Sequence, residues 1–203
     1  MSSGGFIIGI EGVDAVGKQT QTLLLKKWLR RNGFACVGMS FPDYGTPIGK
    51  EIAAFLSAER NFPPQVRHML FAANRWEKLT VIKRYQNEGK VIIVNRYTES
   101  NLVYGMAYGL PIKWLSALED GIPKTNMVLV LNAPPKQLAS RRWDKDSYEK
   151  DQDLQQRASA LYKELARRFG WGVIDATKNV EEIHDSIIGL VKHQLLRRGS
   201  RTH

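Results

Sequence analysis

The sequence predicts an α/β fold in which a five-stranded parallel sheet carries helices on both faces. Three observations lead there. Five short apolar runs recur along the chain, each too continuous for a half-exposed strand. Longer stretches of helical periodicity separate them, as a parallel sheet requires. The first run then passes through a glycine-rich loop directly into a helix, the phosphate-loop arrangement. In such sheets ligands bind beyond the carboxyl ends of the strands. Functional residues are therefore expected after Glu11, Phe41, Val94, Leu131 and Asp175.

Each element has its own warrant. Phe6 to Ile10 is an apolar run, and Phe6 to Glu11 reads as a buried strand. Lys18 to Arg31 reads as a helix with Leu24, Leu25, Trp28 and Leu29 on one face. Cys36 to Phe41 is the second strand, and Pro42 to Pro47 is rich in turn formers. Ile48 to Leu56 is a short helix. Pro64 to Asn87 reads as one long helix, opened by proline and stopped before Gly89. Val91 to Val94 is a strand, followed by helices over Glu99 to Tyr108 and Pro111 to Leu118. Met127 to Leu131 and Gly172 to Asp175 are the last strands. Helices are expected over Pro135 to Arg142, Asp153 to Phe169 and Glu181 to Leu196.

Composition bounds the class. The 203 residues are 43% hydrophobic and 25% charged, which excludes a disordered chain, collagen and a disulfide mini-protein. The length fits one domain over 1–203. No apolar run approaches the roughly 20 residues of a membrane span. The opening Met1-Ser-Ser-Gly-Gly lacks a basic region and cleavage site, so no secretory signal is expected. The single Cys36 cannot pair within the chain, which fits a reducing compartment and a cytoplasmic location. The net charge of +10 favours anionic partners. Three arginines and no acid fall in the 197–203 tail, which reads as a frayed, solvated end. No nucleic-acid recognition module is visible, so phosphate compounds are the expected partners. The four histidines are scattered and form no metal-ligand pair.

The first strand runs into Gly12-Val13-Asp14-Ala15-Val16-Gly17-Lys18-Gln19-Thr20. This nearly matches the phosphate-loop pattern in its strand–loop–helix setting. Glycines let backbone N–H groups wrap an anion, and the helix N-terminus adds positive potential. Lys18 is placed to reach the β- and γ-phosphates of a nucleoside triphosphate. Gln19 stands where Ser or Thr usually offers a hydroxyl to Mg²⁺. Thr20 points about 100° further round the helix. Gln19 could offer an amide oxygen instead, so the phosphate loop is secure and the metal arrangement is left open.

Further motifs follow in order: Glu11-Gly-Val-Asp14-x-x-Gly17-Lys18, Phe41-Pro42, Phe71-Ala-Ala-Asn-Arg75-Trp-Glu77, Arg96-Tyr97-x-x-Ser100 and Val173-Ile-Asp175-Ala-Thr177-Lys178. In these the chain resembles the thymidylate kinases along nearly its whole length, closest to their eukaryotic branch. The resemblance implies transfer of the γ-phosphoryl group of ATP, with Mg²⁺, to the 5′-phosphate of dTMP. It also implies a homodimer.

Site roles are carried by the resemblance. Asp14 would bond the sugar 3′-hydroxyl. Phe71 would stack on thymine beside Phe41, and Arg75 would read a base carbonyl. Arg96 would grip the acceptor phosphate, where a guanidinium fork suits bidentate contact. Ser100 and Tyr104 would lie near base and sugar, with Tyr104 crowding a ribose 2′-hydroxyl. Tyr148 and Gln155 would complete the acceptor pocket. A short lid is implied over about 141–152, with Arg141 against adenine and Arg142 or Lys145 supplying the cation that Ala15 does not. Thr177 and Lys178 would border adenine.

Three positions depart from the family pattern. Tyr44 replaces the arginine of Phe-Pro-x-Arg, Asn95 replaces the aspartate before Arg-Tyr, and Gln19 replaces a hydroxyl residue. Two metal-linked positions, Gln19 and Asn95, are thus amides, with Asp43 or Asp14 as possible compensating groups. Two alternatives follow. One is a related nucleotide or deoxynucleoside kinase, whose nucleoside acceptor needs a base from Glu11, Asp14 or Asp43. The other is a nucleotide-binding protein with weak catalysis.

Overall fold

The computed structural model describes residues 4–138 and 151–199. Arg141, Arg142, Lys145, Tyr148 and most of the expected 141–152 lid lie outside the described residues, as do 200–203 of the tail. Five strands form one parallel sheet: β1 (Phe6–Glu11), β2 (Cys36–Ser40), β3 (Val91–Asn95), β4 (Met127–Asn132) and β5 (Gly172–Asp175), in the order β2-β3-β1-β4-β5. The described helices are α1 (Lys18–Arg31), α2 (Pro47–Leu56), α3 (Pro64–Glu77), α4 (Leu79–Asn87), α5 (Thr98–Ala107), α6 (Ile112–Leu118), α7 (Pro135–Leu138), α8 (Gln152–Phe169) and α9 (Val180–Gly199).

The alternation along the strands divides the core. Phe6, Ile8 and Ile10 of β1, with Val91 and Ile93 of β3, join a large cluster with Leu25 and Leu29 of α1. Ile7, Ile92 and Val94 join a smaller one with Ile82 of α4 and Tyr97. Both faces of β1 and β3 are thereby covered, which explains their continuous apolar runs. Leu24 and Trp28 of α1 are only half-buried; Leu25 and Leu29 are fully enclosed.

The expected single helix from Pro64 to Asn87 is two helices. Lys78 breaks it: its amide bonds the Arg75 carbonyl at 3.0 Å, a tighter turn, and its ammonium pairs with Asp43 at 2.7 Å. Neither glycine nor proline marks this bend, so the pattern of the sequence runs straight through it. The long connection Pro42 to Pro47 is held by Asn74 of α3, which receives the Asp43 amide at 2.7 Å and donates to Thr46 Oγ1 at 2.7 Å. Thr46 caps α2 by accepting the Gly49 amide at 3.0 Å. The Phe41–Pro42 peptide is cis.

Chain order puts the switch point between β1 and β3, where the connections leave in opposite directions. The loops after these two strands meet at the carboxyl rim. The helix-to-strand returns at Asn32–Gly33, Glu88–Gly89 and Gly170 lie exposed at the opposite rim.

Candidate active site

The loop from Gly12 to Gly17 occupies the carboxyl end of β1. Gly12 has φ 135°, and a Cβ there would stand 2.4 Å from the Leu131 carbonyl oxygen. Only glycine lets the chain turn this close to β4. Gly17, with φ 97°, enters α1 in the left-handed region. Val13 and Val16 are buried and root the loop in the core. Lys18 is buried, and its Nζ donates to the Val13 carbonyl at 2.7 Å, folding the side chain back over the loop. Gln19 and Thr20 face outward.

Arg96 follows β3 with φ 60°, a left-handed conformation uncommon outside glycine. Its amide bonds the Ile10 carbonyl at 3.1 Å, and its guanidinium makes a close ion pair with Asp14. Asp14 also accepts from Gln155 Nε2 at 2.8 Å and Tyr104 OH at 3.3 Å. Burial opposes ionisation of Asp14, but Arg96 and then Lys18, with the bonds from Gln155 and Arg96, hold its pKa down at about 2. Burial likewise disfavours the Arg96 cation, yet Asp14 and its neighbours hold its pKa above the ordinary value. Gln155 of α8 therefore clamps the loop carboxylate from behind.

Beneath this pair sits Glu11, fully buried at the end of β1. It accepts from the Tyr97 amide at 2.7 Å, Ser100 Oγ at 2.5 Å and Tyr162 OH at 2.9 Å. One carboxylate thus ties β1, α5 and α8 together.

A cavity of about 250 Å³ opens beside Asp14 and Arg96. Phe41, Phe71 and Tyr104 supply its aromatic walls. Tyr44, Asn95, and Ser100 and Asn101 of α5 line it as well. From α3 come His68, Phe71 and Arg75, all on one helical face. Arg75 is buried; its Nε donates to Glu119 Oε2 at 3.0 Å and its Nη2 makes a short contact with Glu119 Oε1. His68 Nδ1 meets Asn101 Oδ1 at 2.7 Å. Burial lowers the His68 pKa to about 4, against the Asn101 bond and helped by Arg75 and Arg67, so the ring is neutral.

Asn95 Nδ2 donates to Gln19 Oε1 at 3.2 Å, and Asn95 Oδ1 is buried without a protein partner. The two amides that replace the usual metal-linked groups therefore touch each other. Neither suggested substitute stands free: Asp43 is paired with Lys78, and Asp14 with Arg96. Among the described residues, no three histidine, cysteine or acidic groups cluster as a metal cage.

Thr177 and Lys178 are exposed after β5, where Asp175 Oδ1 accepts the Thr177 amide at 3.0 Å and hydroxyl at 2.7 Å. Gln155 does not line the cavity but acts on Asp14. Glu119, Asn101, His68 and Tyr162 were not singled out by sequence reasoning. His68 was nonetheless within reach of it, standing three residues before Phe71 on the same face.

Among the described residues, no helix is long and apolar enough to cross a membrane. The family model described as thymidylate kinase matches residues 10–187. The Danio rerio thymidylate kinase is 35% identical over 90% of this chain and 88% of its own length. That of Schizosaccharomyces pombe is 33% identical over 93% of this chain and 92% of its own. The solved thymidylate kinase from Candida albicans superposes with a TM-score of 0.86 at 28% identity, covering 96% of this chain and 94% of that one. Fold, motif order and these likenesses agree, and the chain belongs to the thymidylate kinase family.

Proposed function

We propose that this chain moves the γ-phosphoryl group of ATP onto the 5′-phosphate of dTMP, giving dTDP and ADP. The observation that carries the reading is the single cavity joining the Asp14–Arg96 pair to Phe71 and Arg75. Arg96 and Asp14 line it together with the aromatic side chains of Phe41, Phe71 and Tyr104, a lining that supports binding of a phosphate, a sugar and a base in one place. A phosphate monoester has its second pKa near about 6, so the acceptor oxygen is already anionic at neutral pH. The reaction then needs no base. This suits a site where Glu11, Asp14 and Asp43, the three candidate bases for a nucleoside acceptor, are all held by donors.

Residue roles follow the same reading. The backbone of Gly12 to Lys18 cradles the donor phosphates, and Lys18 swings from the Val13 carbonyl to meet them. Arg96 holds the acceptor phosphate with the face of its fork that Asp14 does not occupy. Phe71 and Phe41 enclose the base, Arg75 reads its carbonyl, and Asp14 with Tyr104 meets the deoxyribose. Thr177 and Lys178 flank the adenine. Arg141 and the lid cations Arg142 and Lys145 complete the site on the strength of their sequence pattern. Bound with ATP, Mg²⁺ would supply neutralisation of phosphate charge. The unpartnered Asn95 Oδ1 beside Gln19 fits a hydrated cation, which these two amide side chains would hold through their oxygens. The chain acts as a homodimer in the cytoplasm, the compartment favoured by its lone thiol.

The test is chromatographic separation of products formed from ATP and Mg²⁺ with dTMP, dUMP, dCMP, dGMP, AMP or thymidine. Selective dTDP formation is expected. Preferred phosphorylation of thymidine, or ATP binding without turnover of any acceptor, would overturn the reading.

A further inference from the structure

His68 is fully buried and lines the acceptor cavity, yet its Nε2 has no hydrogen-bond partner. Buried polar atoms are rarely left so, and each such atom asks for a ligand or a cause. The surrounding bonds fix its chemical state. Glu119 accepts from Asn101 Nδ2 at 2.7 Å, and a carboxylate can only accept there, so the amide orientation of Asn101 is set. The same Nδ2 also donates to the His68 carbonyl at 3.3 Å. Asn101 Oδ1 therefore faces His68 Nδ1, which must donate. In a neutral ring this leaves Nε2 as a bare acceptor. Glu119 also engages the Nε and Nη2 ends of Arg75, leaving the Nη1 donors of the fork. One buried carboxylate thus sets the hydrogen-bonding state of both His68 and Arg75, two residues of α3 that line the cavity on either side of Phe71 in sequence.

We infer that His68 is a specificity-determining residue: its Nε2 accepts the ring N–H of the acceptor base while Arg75 donates to the adjacent carbonyl, with Glu119 as the positioning residue for both. This deepens the proposed dTMP kinase reading and rests on it. The pair fits the N3–H and C4=O edge of thymine or uracil. Cytosine presents a bare N3 and an amino group there, so acceptor would face acceptor and donor would face donor. A site built around such groups rejects the mismatched analogue because its own buried groups stay unpaired.

The experiment has two arms. The first measures kcat/KM for dTMP, N3-methyl-dTMP and dCMP with the wild type, His68→Gln and His68→Ala, with unfolding midpoints as a folding check. For dTMP, His68→Ala should lose about tenfold, the size of one hydrogen bond. The two analogues should not lose in parallel, so discrimination narrows, and His68→Gln, which keeps an acceptor, should recover part of it. Equal losses for all three substrates, or none, would overturn the inference. The second arm reads the His68 ring nitrogens of the wild-type protein by ¹⁵N NMR, which needs no variant to fold. Free protein should show a bare Nε2 that shifts on adding dTMP and not on adding N3-methyl-dTMP; a protonated Nε2, or identical responses, would overturn it. Failure to make dTDP with the dTMP-specific shift intact would sink the kinase reading alone. Normal dTDP formation without that shift would sink the role of His68 alone.

Discussion

Asp14 of the phosphate loop and Arg96 after β3 close an ion pair across the crevice between the two central strands, each fixing the other at the carboxyl rim. Arg96 adopts its left-handed backbone conformation here, with Tyr104 5.3 Å from its guanidinium carbon and Ser100 accepting at 3.4 Å. Replacing Arg96 by alanine should lower kcat/KM for dTMP by about 10² to 10³, the range for removing one preorganised donor to a reacting group. Arg96→Lys should recover a minor part, because the ammonium keeps charge and loses the fork. Steady-state kinetics with both variants checks this.

The same pair makes acid stability predictable. The Asp14 pKa lies at about 2 when folded, against 3.8 when free. Its stabilisation is complete above 3.8 and lost as pH falls towards 2, a contribution of about 2 kcal/mol. Urea unfolding of wild type and Asp14→Asn across that window should show a steeper acid loss in the wild type.

Glu99 behaves in the opposite sense. Burial, then the neighbouring Glu11 carboxylate, raises its pKa from 4.5 to about 7, against bonds from Thr125 and Thr98. The folded state holds this proton more tightly than the unfolded chain. Stability is therefore fully present below 4.5 and declines as pH rises through about 7. Glu99→Gln should flatten that decline in unfolding midpoints measured across the same range.

Glu119 neutralises Arg75 inside the protein. Glu119→Ala leaves a buried guanidinium unpaired and should cost about 3–5 kcal/mol of stability. Chemical denaturation reads this directly, and the variant should also show a raised KM for dTMP.

The contact between Asn95 and Gln19 predicts a weak hold on the cation. A double variant, Gln19→Ser with Asn95→Asp, should reach half-maximal rate at a several-fold lower Mg²⁺ concentration than the wild type. A magnesium titration of the rate at fixed ATP checks it.

Much of this architecture was legible in the sequence because the signals were local. The strands announced themselves as apolar runs, and the phosphate loop by glycine spacing. The bend at Lys78 was hidden because it arises from a distant partner, Asp43, rather than from a helix breaker. Arg75 was visible as a cation four residues after Phe71; its partner Glu119 lies forty-four positions away and carries no motif. His68 was hidden for the same reason, since its chemical state depends on Asn101 and Glu119. Gln155 was placed near the acceptor by resemblance, but its grip on Asp14 spans 141 positions.

The exposed returns at Asn32–Gly33, Glu88–Gly89 and Gly170 have a practical consequence. They stand a full strand length from the chemistry, and parallel strands keep the two rims apart. Foreign peptide grafted between Asn32 and Gly33 meets solvent and no ligand. The molecule thus offers one edge for tethering, labelling or fusion while the other continues to turn over nucleotide.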